Sequence, residues 1–502
     1  MGNLVATNIR LPEEDLALYK EIAMAEKKSF YITTTIPYVN ADPHIGFALE
    51  LVQADAIARY KRLAGSEVFF STGTDEHGQK IWEGSLREGK EVQKYVDFYA
   101  EKFMELKKLL NLSNDNFIRT TDPEHIKAAQ EFWRICDAKG DIYKKKYKGL
   151  YCVGCERFLM DKDIVDGHCA IHINLKLEEI EEENYFFKLS NYKNELLKYL
   201  SKNESVIPEW RRDEAIEYVA NAMEDFSISR DKKRFSWGVP VPNDDTQVMY
   251  VWFDAFVNYI STLGWPNKIE NFKKFWQEAE KVQMAGKDMV KFQSAMWQGM
   301  LMSAGLPNTD RIIYHGFIAG EGGMKMSKSL GNVVNPVDIV KEYGTDALRY
   351  FLLREISSFE DSPFTMERFK EAYNANLANG LGNLASRILT LSEKYLEKCP
   401  EIPEQSDFEE YFKIYETFDI KKAADYVWHK IGELDKKIQA TEPFKVVKTD
   451  PEKGKKLISE MVVELYVIAR MLNPLLPETN VKLKELIKTN KKPETPLFLR
   501  KD

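Results

Sequence analysis

His44 lies in the segment PYVNADPHIGF, where an apolar, strand-like run gives way to a helix-like pattern. The first turn of a helix presents free backbone N–H groups and a partial positive charge, and both suit a phosphate. We therefore expect His44 to donate a hydrogen bond to phosphate, and Gly46 to let a nucleotide come close to the backbone. A turn histidine without any ligand is the alternative, and this segment alone does not exclude it.

Lys325 and Lys328 lie three residues apart in the glycine-containing segment GGMKMSKS. Lysine carries a point charge on a long stem. Two such cations on a loop can close over a polyphosphate and stabilise the charge of a departing pyrophosphate. A charged surface loop without a ligand would explain a bare KxxK pair equally well, but the pentapeptide KMSKS is much more specific than that pair.

Three of the five cysteines form a cluster with a histidine, in the pattern Cys152-x2-Cys155-x13-Cys169-x2-His172. Two closely spaced pairs, with three thiolates and one imidazole, favour a closed tetrahedral zinc site. Four protein ligands leave no position for water, so we expect this zinc to be structural. His168 is a rival for the fourth ligand, although the x2 spacing favours His172. Four unrelated buried residues would not explain both x2 pairs.

The elements that must position these groups begin with an α/β order. The run FYITTTI (30–36) is β-branched and aromatic, which is typical of a buried strand. Helical spacing starts at Gly46 and Gly65 favours its end, after which EVFFSTG (67–73) is a second strand. This order predicts a parallel α/β sheet. Ligands of such sheets bind beyond the C-terminal ends of the strands.

Residues 120–245 break that order with the cysteine cluster, the charged run KLEEIEEENYFFKL and the turn-rich WGVPVPNDD, so we interpret them as an insertion. The α/β pattern returns with QVMYVWFDAF and RIIYHGF, and from about Phe364 the chain is almost wholly helical, which predicts a helix bundle. The predicted divisions are an N-terminal extension (1–28), the first half of the sheet domain (29–145), the insertion (146–245), the second half (246–320), the lysine loop with the region after it (321–370) and the helical domain (371–502).

The composition is that of a globular protein with two to four folded units, since 44% of the 502 residues are hydrophobic. A formal net charge of −8 argues against a non-specific nucleic-acid coat, although a local basic track would suffice for a specific RNA ligand. The odd, sparse cysteine count does not fit a secreted disulfide framework. The N-terminus has no long apolar core and no run of about 18 apolar residues occurs, so we expect a cytosolic protein without a membrane span.

The segment with His44 comes first in the chain, and the segment with Lys325 and Lys328 follows about 280 residues later. In this order the two segments resemble the motifs of class I aminoacyl-tRNA synthetases. The methionyl-tRNA synthetase family has segments similar to TTTIPYVNADPHIGFALELVQADAIARYKR, FFSTGTDEHGQKI, GLYCVGCERF, DFSISR, YVWFDAF, GKDMVKFQSAMW and IIYHGFIAGEGGMKMSKSLGNVVNP. The resemblance covers roughly residues 29–500. It implies a Rossmann-like α/β parallel-sheet catalytic domain with a zinc-containing connective insertion, followed by an all-α anticodon-binding helix bundle. The implied reaction is the ATP-dependent attachment of L-methionine to tRNA(Met) through methionyl-adenylate, with release of AMP and diphosphate.

The functional positions of the family carry over residue by residue. The resemblance implies catalytic roles for His44, Lys325 and Lys328. It implies ATP binding by His44, Gly46, Phe47, Lys325, Ser327 and Lys328. It implies methionine binding by Ile36, Tyr38, Asp75, Trp252, Phe256, Tyr259, Met289 and Gln293, with Asp75 holding the substrate ammonium group. It implies anticodon reading by Asn383 and Arg387, four residues apart on one helix face, and stacking by Phe444. Asparagines that only pack on a helix are the alternative to the anticodon assignment.

Four of these positions depart from the usual family pattern. Phe47 stands where a second histidine is usual, Phe256 where proline is frequent, Gln293 where histidine is frequent, and Phe444 where tryptophan is usual. Removing one polar group that stabilises a transition state costs about 2–4 kcal/mol. Phe47 therefore implies either a slower reaction or a neighbouring residue that takes over, and the other two pocket departures imply a reshaped methionine site.

The resemblance also implies cofactors and partners. We expect Mg²⁺ with ATP, one structural zinc ion, and a cytoplasmic monomer that binds tRNA(Met), ATP and L-methionine and no membrane. Arg230, in DFSISR, is expected to supply a further cation. One rival hypothesis is another class I synthetase or a nucleotidyltransferase with the same two loops, which the zinc pattern and the segments around Asp75 and VWFDAF oppose. The other is a tRNA-binding or zinc-dependent scaffold without activity, which only Phe47 supports and the intact KMSKS loop opposes.

Overall fold

The computed structural model describes residues 28–153, 157–159, 163–171, 173–234, 236–320, 334–403 and 408–501. Within these ranges the chain forms a parallel sheet flanked by helices, a smaller antiparallel sheet from the middle of the sequence, and a helical C-terminal region. No helix in the described ranges is long and apolar enough to cross a membrane. The short helix that the sequence suggests at Glu14–Glu26 lies outside the described residues.

The first part of the chain alternates strands and helices, as its pattern predicts. Its elements are β1 (Ser29–Thr33), α1 (Ile45–Leu63), β2 (Glu67–Thr74), α2 (Gln79–Arg87), α3 (Val92–Leu109), β3 (Asn116–Arg119) and α4 (Pro123–Ala138). Local signals fix the helix ends. Helix α1 has two basic residues in its last turn, and the chain then turns at Gly65 with a φ of 89° that favours glycine. Helix α4 begins where Asp122 accepts a hydrogen bond from the backbone N–H of Glu124.

The middle of the chain forms a second, antiparallel sheet. The elements of this part of the chain are β4 (Ile142–Cys152), β5 (Arg157–Phe158), β6 (Ile164–Val165), β7 (His168–Cys169), β8 (Glu178–Phe187), α5 (Lys193–Leu200), β9 (Val206–Ile207), α6 (Glu209–Asn221), β10 (Phe226–Ser227), β11 (Ser229–Asp231) and β12 (Gln247–Met249). The antiparallel sheet has the strand order β10-β8-β4-β5, while β6 pairs with β7 and β11 pairs with β12. Strands β4 and β8 pair along ten residues each. Most of the charged run in the sequence is therefore a strand. Its Glu181 lies opposite Lys148 of β4, and Lys148 also forms a 2.9 Å ion pair with the diagonal neighbour Glu179.

The α/β order then returns. Its elements are α7 (Val251–Phe256), α8 (Asn258–Ser261), α9 (Ile269–Phe272), a π-helical turn (Lys273–Glu278), β13 (Glu280–Gly286), a 3-10 turn (Lys287–Met289), a second π-helical turn (Phe292–Trp297), α10 (Gln298–Ser303), β14 (Arg311–His315) and β15 (Ile318–Ala319). The segment QVMYVWFDAF is a three-residue strand that leads into α7. Strand β13 was not among the sequence predictions.

The six strands of the main sheet are parallel and run in the order β3-β2-β1-β13-β14-β9. The chain moves away from β1 toward β3 on one side and continues from β13 to β14 on the other. The order therefore reverses between β1 and β13, and the C-terminal ends of these strands form the crevice in which parallel sheets bind ligands. The edge strand β9 comes from the middle of the chain, so that segment also completes the main sheet.

The C-terminal region is helical, as the sequence predicts. Its elements are α11 (Pro336–Tyr343), α12 (Thr345–Tyr350), a π-helical turn (Phe351–Glu355), the short β16 (Ser362–Pro363), α13 (Met366–Ala372), a ten-residue π-helical segment (Tyr373–Gly382), α14 (Asn383–Tyr395), α15 (Glu409–Glu416), α16 (Ile420–Thr441), α17 (Pro443–Thr449), α18 (Pro451–Met471) and α19 (Pro477–Lys488). One apolar core covers the α1 face of the sheet and continues into this region, and a second core covers the opposite face.

Helix α1 is anchored to the helical region by buried polar contacts. The guanidinium group of Arg349, on α12, forms a 2.8 Å ion pair with Asp55 on α1, and both side chains are fully buried. Arg349 also donates hydrogen bonds to three backbone carbonyls, those of Leu110, Pro474 and Leu475. The middle of α1 is therefore fixed to the helical region.

A second contact lies in the last turn of α1, where the hydroxyl of Tyr60 and the ammonium of Lys61 both bind Glu416 of α15. The helix that begins after His44 is thus held at its middle and at its far end.

Candidate functional site

His44 is the N-cap residue of α1. Its Nδ1 accepts a hydrogen bond of 3.0 Å from the backbone N–H of Gly46. A neutral imidazole has one N–H group, so the proton of His44 must be on Nε2. The ring therefore offers an N–H donor at the positive end of a 19-residue helix, which suits the expected phosphate contact.

Gly46 is required by this cap. A Cβ atom at position 46 would lie 2.8 Å from Cε1 and 3.0 Å from Nδ1 of His44. Any larger residue would push the imidazole away from the backbone N–H of residue 46, which donates to Nδ1 of His44. Glycine at position 46 is therefore favoured by the histidine cap as well as by the expected approach of a nucleotide.

Phe47 packs against the histidine cap and is half-buried. Its ring stacks on the imidazole of His44 with centroids 4.3 Å apart and meets the edge of Phe103 at 5.5 Å. It also lines a cavity of about 20 Å³ together with Thr35 and Glu50, which is room for about one water molecule. In this chain, residue 47 therefore supports the first histidine of the motif by packing.

Glu50 and His315 connect three segments of the crevice and were not among the predicted site residues. One carboxylate oxygen of Glu50, on α1, accepts hydrogen bonds of 2.6 Å from both the backbone N–H and the hydroxyl of Thr35. The other oxygen lies 2.9 Å from Nε2 of His315, the last residue of β14. Nδ1 of His315 lies 2.7 Å from the carbonyl oxygen of Gly316. The only available signal was a polar residue at the end of the predicted strand in RIIYHGF.

Asp75 directly follows β2 and is 3% exposed. Its backbone N–H donates to the carbonyl of Pro37 at 2.9 Å, and its own carbonyl accepts from the N–H of Val39 at 3.3 Å. The turn around Tyr38 is therefore fixed beside the carboxylate. Because a buried carboxylate is stabilised by a cation, this position suits the expected methionine ammonium group.

Aromatic rings form a continuous wall next to Tyr38. The ring of Trp252 meets Tyr38 edge-on at 6.2 Å, stacks on Phe292 at 4.3 Å and contacts Phe256 at 5.9 Å. Trp297 extends the wall to Tyr259 at 5.8 Å. Sulfur packs favourably on such rings, so this wall can hold a thioether. Phe292, whose ring has the closest contact with Trp252, was not among the predicted pocket residues.

The remaining predicted pocket residues differ in their surroundings. The amide nitrogen of Gln293 donates to the hydroxyl of Tyr259 at 2.5 Å, while its buried Oε1 has no hydrogen-bond partner among the described residues. Ile36 is half-buried at the start of the turn that holds Tyr38. Met289, in the 3-10 turn after β13, packs on the same apolar core as Trp252.

A buried histidine–aspartate pair lies beneath the wall. Nδ1 of His77, which follows Asp75 by two residues, lies 2.7 Å from Oδ2 of Asp254 on α7. Both side chains are almost fully buried. Burial raises the pKa of Asp254, and the charge and hydrogen bond of His77 act in the opposite direction. This pair joins the end of β2, which carries Asp75, to the helix that carries Trp252.

Of the four predicted zinc ligands, only Cys152 and Cys169 lie in the described residues. Both thiols are buried in one small apolar cluster with Leu159, and neither forms a disulfide. His168 is exposed, and its Nδ1 contacts the carbonyl of Asp166 at 2.9 Å, so it faces away from the buried Cys169 next to it. Within the described ranges no group of three or more His, Cys, Asp or Glu residues could hold a metal ion.

The helical region carries an open cleft of about 300 Å³, which Arg387 and Phe444 share with Ser386, Thr390, Leu391 and Ile438. Phe444 is 38% exposed. The guanidinium of Arg387 donates to Asp435 at 2.8 Å, which holds it at the cleft. Asn383 begins α14 one turn before Arg387 and is exposed. The helix predicted for these residues is therefore present, although the segment before it is π-helical.

Two other predictions concern phosphate-binding cations. The lysine loop, with Lys325, Ser327 and Lys328, lies outside the described residues. Arg230 is 1% exposed, its guanidinium lies 4.2 Å from the ring centre of Tyr250, and it donates to the Ser227 hydroxyl and the Ser229 carbonyl. In this buried position Arg230 joins parts of the middle segment, which does not suit a cation that binds phosphate in the crevice.

Known proteins are similar to this sequence over most of its length. Residues 30–176 and 162–389 match the family described as tRNA synthetases class I (M). The methionine–tRNA ligase of Thermotoga maritima is 39% identical over 482 residues, which cover 92% of this chain and 76% of that protein. The methionine–tRNA ligase of Rhizobium meliloti is 39% identical over 493 residues, with 92% of each chain covered.

Solved structures share the fold. The methionyl-tRNA synthetase of Mycobacterium tuberculosis in complex with methionyl-adenylate superposes with a TM-score of 0.86 at 35% identity, covering 94% of this chain and all of that one. The apo form of the same enzyme gives a TM-score of 0.80 at 32% identity, with 95% and 99% covered. The similarity therefore includes the sheet, the middle segment and the helical region together.

Proposed function

This chain belongs to the class I methionyl-tRNA synthetases, and from that membership we propose which of its residues perform each step. The reaction joins L-methionine to tRNA(Met) with ATP, passes through methionyl-adenylate and releases AMP and diphosphate. The proposal rests on one observation. Three neighbouring strands, β1, β2 and β13, have their C-terminal ends at one edge of the sheet. The His44 cap follows β1, Asp75 follows β2, and the turn with Met289 follows β13.

Methionine binds between Asp75 and the aromatic wall. Its ammonium group pairs with the buried carboxylate, and its thioether packs on Trp252 and Tyr259. The Gln293 amide donates to the hydroxyl oxygen of Tyr259, so the proton of that hydroxyl is available to the sulfur. Phe256 fills the position where relatives often have proline and closes the wall against Trp297.

In the first step the methionine carboxylate attacks the α-phosphate of ATP, and the bond to pyrophosphate breaks. His44 donates its Nε2–H to phosphate oxygens, and the N-terminus of α1 adds its partial positive charge. Lys325, Ser327 and Lys328 bind the departing pyrophosphate, and Mg²⁺ that arrives with ATP would neutralise part of its charge. No enzyme nucleophile is needed, because positioning and electrostatic stabilisation supply the catalysis.

In the second step the 2′-hydroxyl of the terminal adenosine of tRNA attacks the carbonyl carbon of the mixed anhydride, and AMP leaves. The correct tRNA is selected at the cleft of the helical region. Arg387 and Asn383 bind base edges of the anticodon, and the half-exposed ring of Phe444 offers a face for stacking. Phenylalanine provides less area for this contact than the tryptophan that is usual at the position.

One structural zinc ion is part of the proposal, bound by Cys152, Cys155, Cys169 and His172. The two described cysteines fit it, since both side chains are buried in a common cluster. The exposed position of His168 supports His172 as the fourth ligand. Four protein ligands would leave no position for water, so the ion would stabilise the middle segment and take no part in the reaction.

Exchange of radioactive pyrophosphate into ATP tests the adenylation assignment. The wild-type chain should catalyse exchange with L-methionine and not with L-leucine, L-isoleucine or L-valine. Exchange with another amino acid would favour the rival class I synthetase. No exchange with any of them, together with retained tRNA binding, would favour the inactive scaffold that Phe47 suggests.

The Lys328→Ala variant tests the role of the lysine loop. It should slow methionine-dependent exchange by at least about 100-fold, as removal of a charge that stabilises the transition state does, and leave methionine binding in equilibrium dialysis nearly unchanged. Lys455→Ala, on an exposed lysine of α18, is the matched control and should behave as the wild type. Exchange near the wild-type rate in Lys328→Ala would remove this residue from the mechanism.

A further inference from the structure

The protonation state of His315 follows from its two contacts. Nδ1 faces the carbonyl oxygen of Gly316 and Nε2 faces a carboxylate oxygen of Glu50, at 2.7 and 2.9 Å. A backbone carbonyl only accepts hydrogen bonds, and a carboxylate that already accepts twice from Thr35 acts as an acceptor as well. A neutral imidazole could donate to one of them only. Both contacts are satisfied when the ring is an imidazolium ion.

The ion pair of His315 with Glu50 joins three elements that each lead into a different wall of the crevice. Glu50 is one helical turn after Phe47 on α1, so its position is coupled to that of the His44 cap. Thr35 precedes the turn that carries Ile36 and Tyr38. His315 ends β14, next to the C-terminal end of β13, where a Cβ atom at Gly286 would lie 3.8 Å from its Cε1.

We propose that His315 is a positively charged positioning residue for methionine activation. Through Glu50 it holds α1 and the turn with Ile36 and Tyr38 to the end of β14. The residue does not contact the reacting atoms in this role. It acts through Thr35 on the methionine side and through α1 on the phosphate side. Its loss should therefore raise the KM for methionine and lower kcat for adenylation together.

The neighbouring charges fix the direction of the pH dependence. Burial alone lowers the pKa of His315, but the hydrogen bond and charge of Glu50, the Gly316 carbonyl and the Asp288 carboxylate raise it above its usual value. The Tyr259 hydroxyl also faces Glu50, and burial raises its pKa far enough to keep it neutral. The pair is therefore complete at pH values below the ordinary histidine range and is lost as pH rises through the raised pKa.

Nitrogen chemical shifts of histidine rings measure this charge directly in the full-length protein. The chain has seven histidines, and the His315 signals are those that disappear in His315→Asn. In the wild type these signals should show an imidazolium at pH 7 that loses its proton only as pH rises through the raised pKa of His315. A neutral His315 ring at pH 7 would overturn the proposal.

Kinetics of methionine-dependent pyrophosphate exchange from pH 6.5 to 9.5 provide the second test. At pH 7, His315→Asn should lower kcat/KM for methionine about 100-fold, the effect of misplacing reactants by about 1 Å. The ratio of wild-type to variant activity should then shrink as pH rises, because the wild type loses the ion pair as well. A ratio that stays constant over this range would mean that His315 has only a structural role, and would overturn the proposal.

Glu50→Gln keeps an acceptor for Thr35 and removes the charge. It should reproduce the defect at pH 7, and it should move the alkaline loss of activity to lower pH than in the wild type. His429→Asn, on an exposed histidine of α16, is the matched control and should leave the profile unchanged. The inference rests on the adenylation activity. Wild-type protein without exchange would reject that activity, whereas normal exchange with an unshifted profile in Glu50→Gln would reject the inference alone.

Discussion

The ring of Phe47 lies nearly parallel to the imidazole of His44, with centroids 4.3 Å apart and 30° between the ring planes. Phe103 also packs against Phe47, with centroids 5.5 Å apart and 76° between the ring planes. The start of α1 thus combines one imidazole donor with an aromatic support, where the family pattern has two imidazoles. The orientation of His44 then depends on the backbone N–H of Gly46 and on this stack.

Phe47→Ala should lower kcat for methionine-dependent exchange about 2- to 10-fold, because an aromatic pair contributes about 0.5–1.5 kcal/mol to holding the imidazole in place. The KM for methionine should change little, since the methionine wall does not include this ring. Phe98→Ala, on an exposed ring of α3, is the control. Unchanged kcat in Phe47→Ala would show that the Gly46 hydrogen bond alone orients His44.

Asp75→Asn should raise the KM for methionine about 30- to 1000-fold, as expected when one partner of a buried, charged pair is removed. The KM for ATP should stay within about 2-fold of the wild type, because the nucleotide side of the crevice keeps all its contacts. Steady-state pyrophosphate exchange measures both constants. Asp97→Asn, whose carboxylate is half exposed, is the control. Equal increases in both KM values would argue against an ammonium contact.

Purified protein should contain one zinc ion per chain by atomic emission spectroscopy. Cys152→Ser should lose the ion and lower the melting temperature, because a structural zinc site contributes folding free energy. Cys399→Ser, on the half-buried cysteine outside the pattern, should keep both. A wild-type preparation with no zinc, folded and active, would contradict the assignment.

Arg387→Ala should raise the KM for tRNA(Met) in the charging reaction at least about 10-fold, since the guanidinium at the cleft is removed. Methionine-dependent exchange, which needs no tRNA, should remain at the wild-type rate and shows that the variant is folded. Lys421→Ala, on a partly exposed lysine of α16 outside the cleft, is the control. A normal KM for tRNA would remove Arg387 from anticodon recognition.

Asp55→Asn should destabilise the protein by about 3–5 kcal/mol at pH 7, because it leaves the buried guanidinium of Arg349 without its charged partner. Burial raises the pKa of Asp55, but Arg59, Arg349 and Ser113 together lower it to about 2. The stabilisation is therefore present above the unfolded value near 4 and is lost as pH falls toward 2.

Thermal melting of wild type and Asp55→Asn at pH 7 and at pH 3 checks this dependence. The difference in melting temperature should be large at pH 7 and smaller at pH 3. The double variant Asp55→Asn/Arg349→Met should recover part of the loss, since it removes the unpaired cation. A difference that is the same at both pH values would mean that the charge of Asp55 does not stabilise the fold.

The sequence predicted the elements whose pattern is local. The strand before His44, the helix that follows it and the helical C-terminal region are confirmed. Strand β13 was missed because it contains polar residues whose hydrogen-bond partners lie far along the chain. The backbone N–H of Lys281 donates to Asp310, and Gln283 accepts from the Thr309 hydroxyl. Such a strand does not show the apolar run of a buried strand.

The residues of the candidate site were also predicted only where their sequence pattern is local. His44 and Asp75 could be singled out because each lies in a recognisable short segment. Glu50 and His315 are 265 residues apart, and nothing in either segment indicates that they meet. His77 and Asp254, 177 residues apart, are a second example. The domain boundaries and the roles of the lysine loop stay predictions.

Strand β1 pairs with β2 and with β13, and 250 residues separate Phe30 from Glu280, its neighbour in β13. At a synthesis rate of about 5–20 residues per second, roughly 10–50 s pass between the emergence of the two partners from the ribosome. During that time the N–H and C=O groups along one edge of β1 lack their final partner. An open edge of this kind can pair with other chains. The seam at the proposed substrate crevice therefore closes late in synthesis, and a nascent chain stalled before β13 would be prone to aggregate along the open edge of β1.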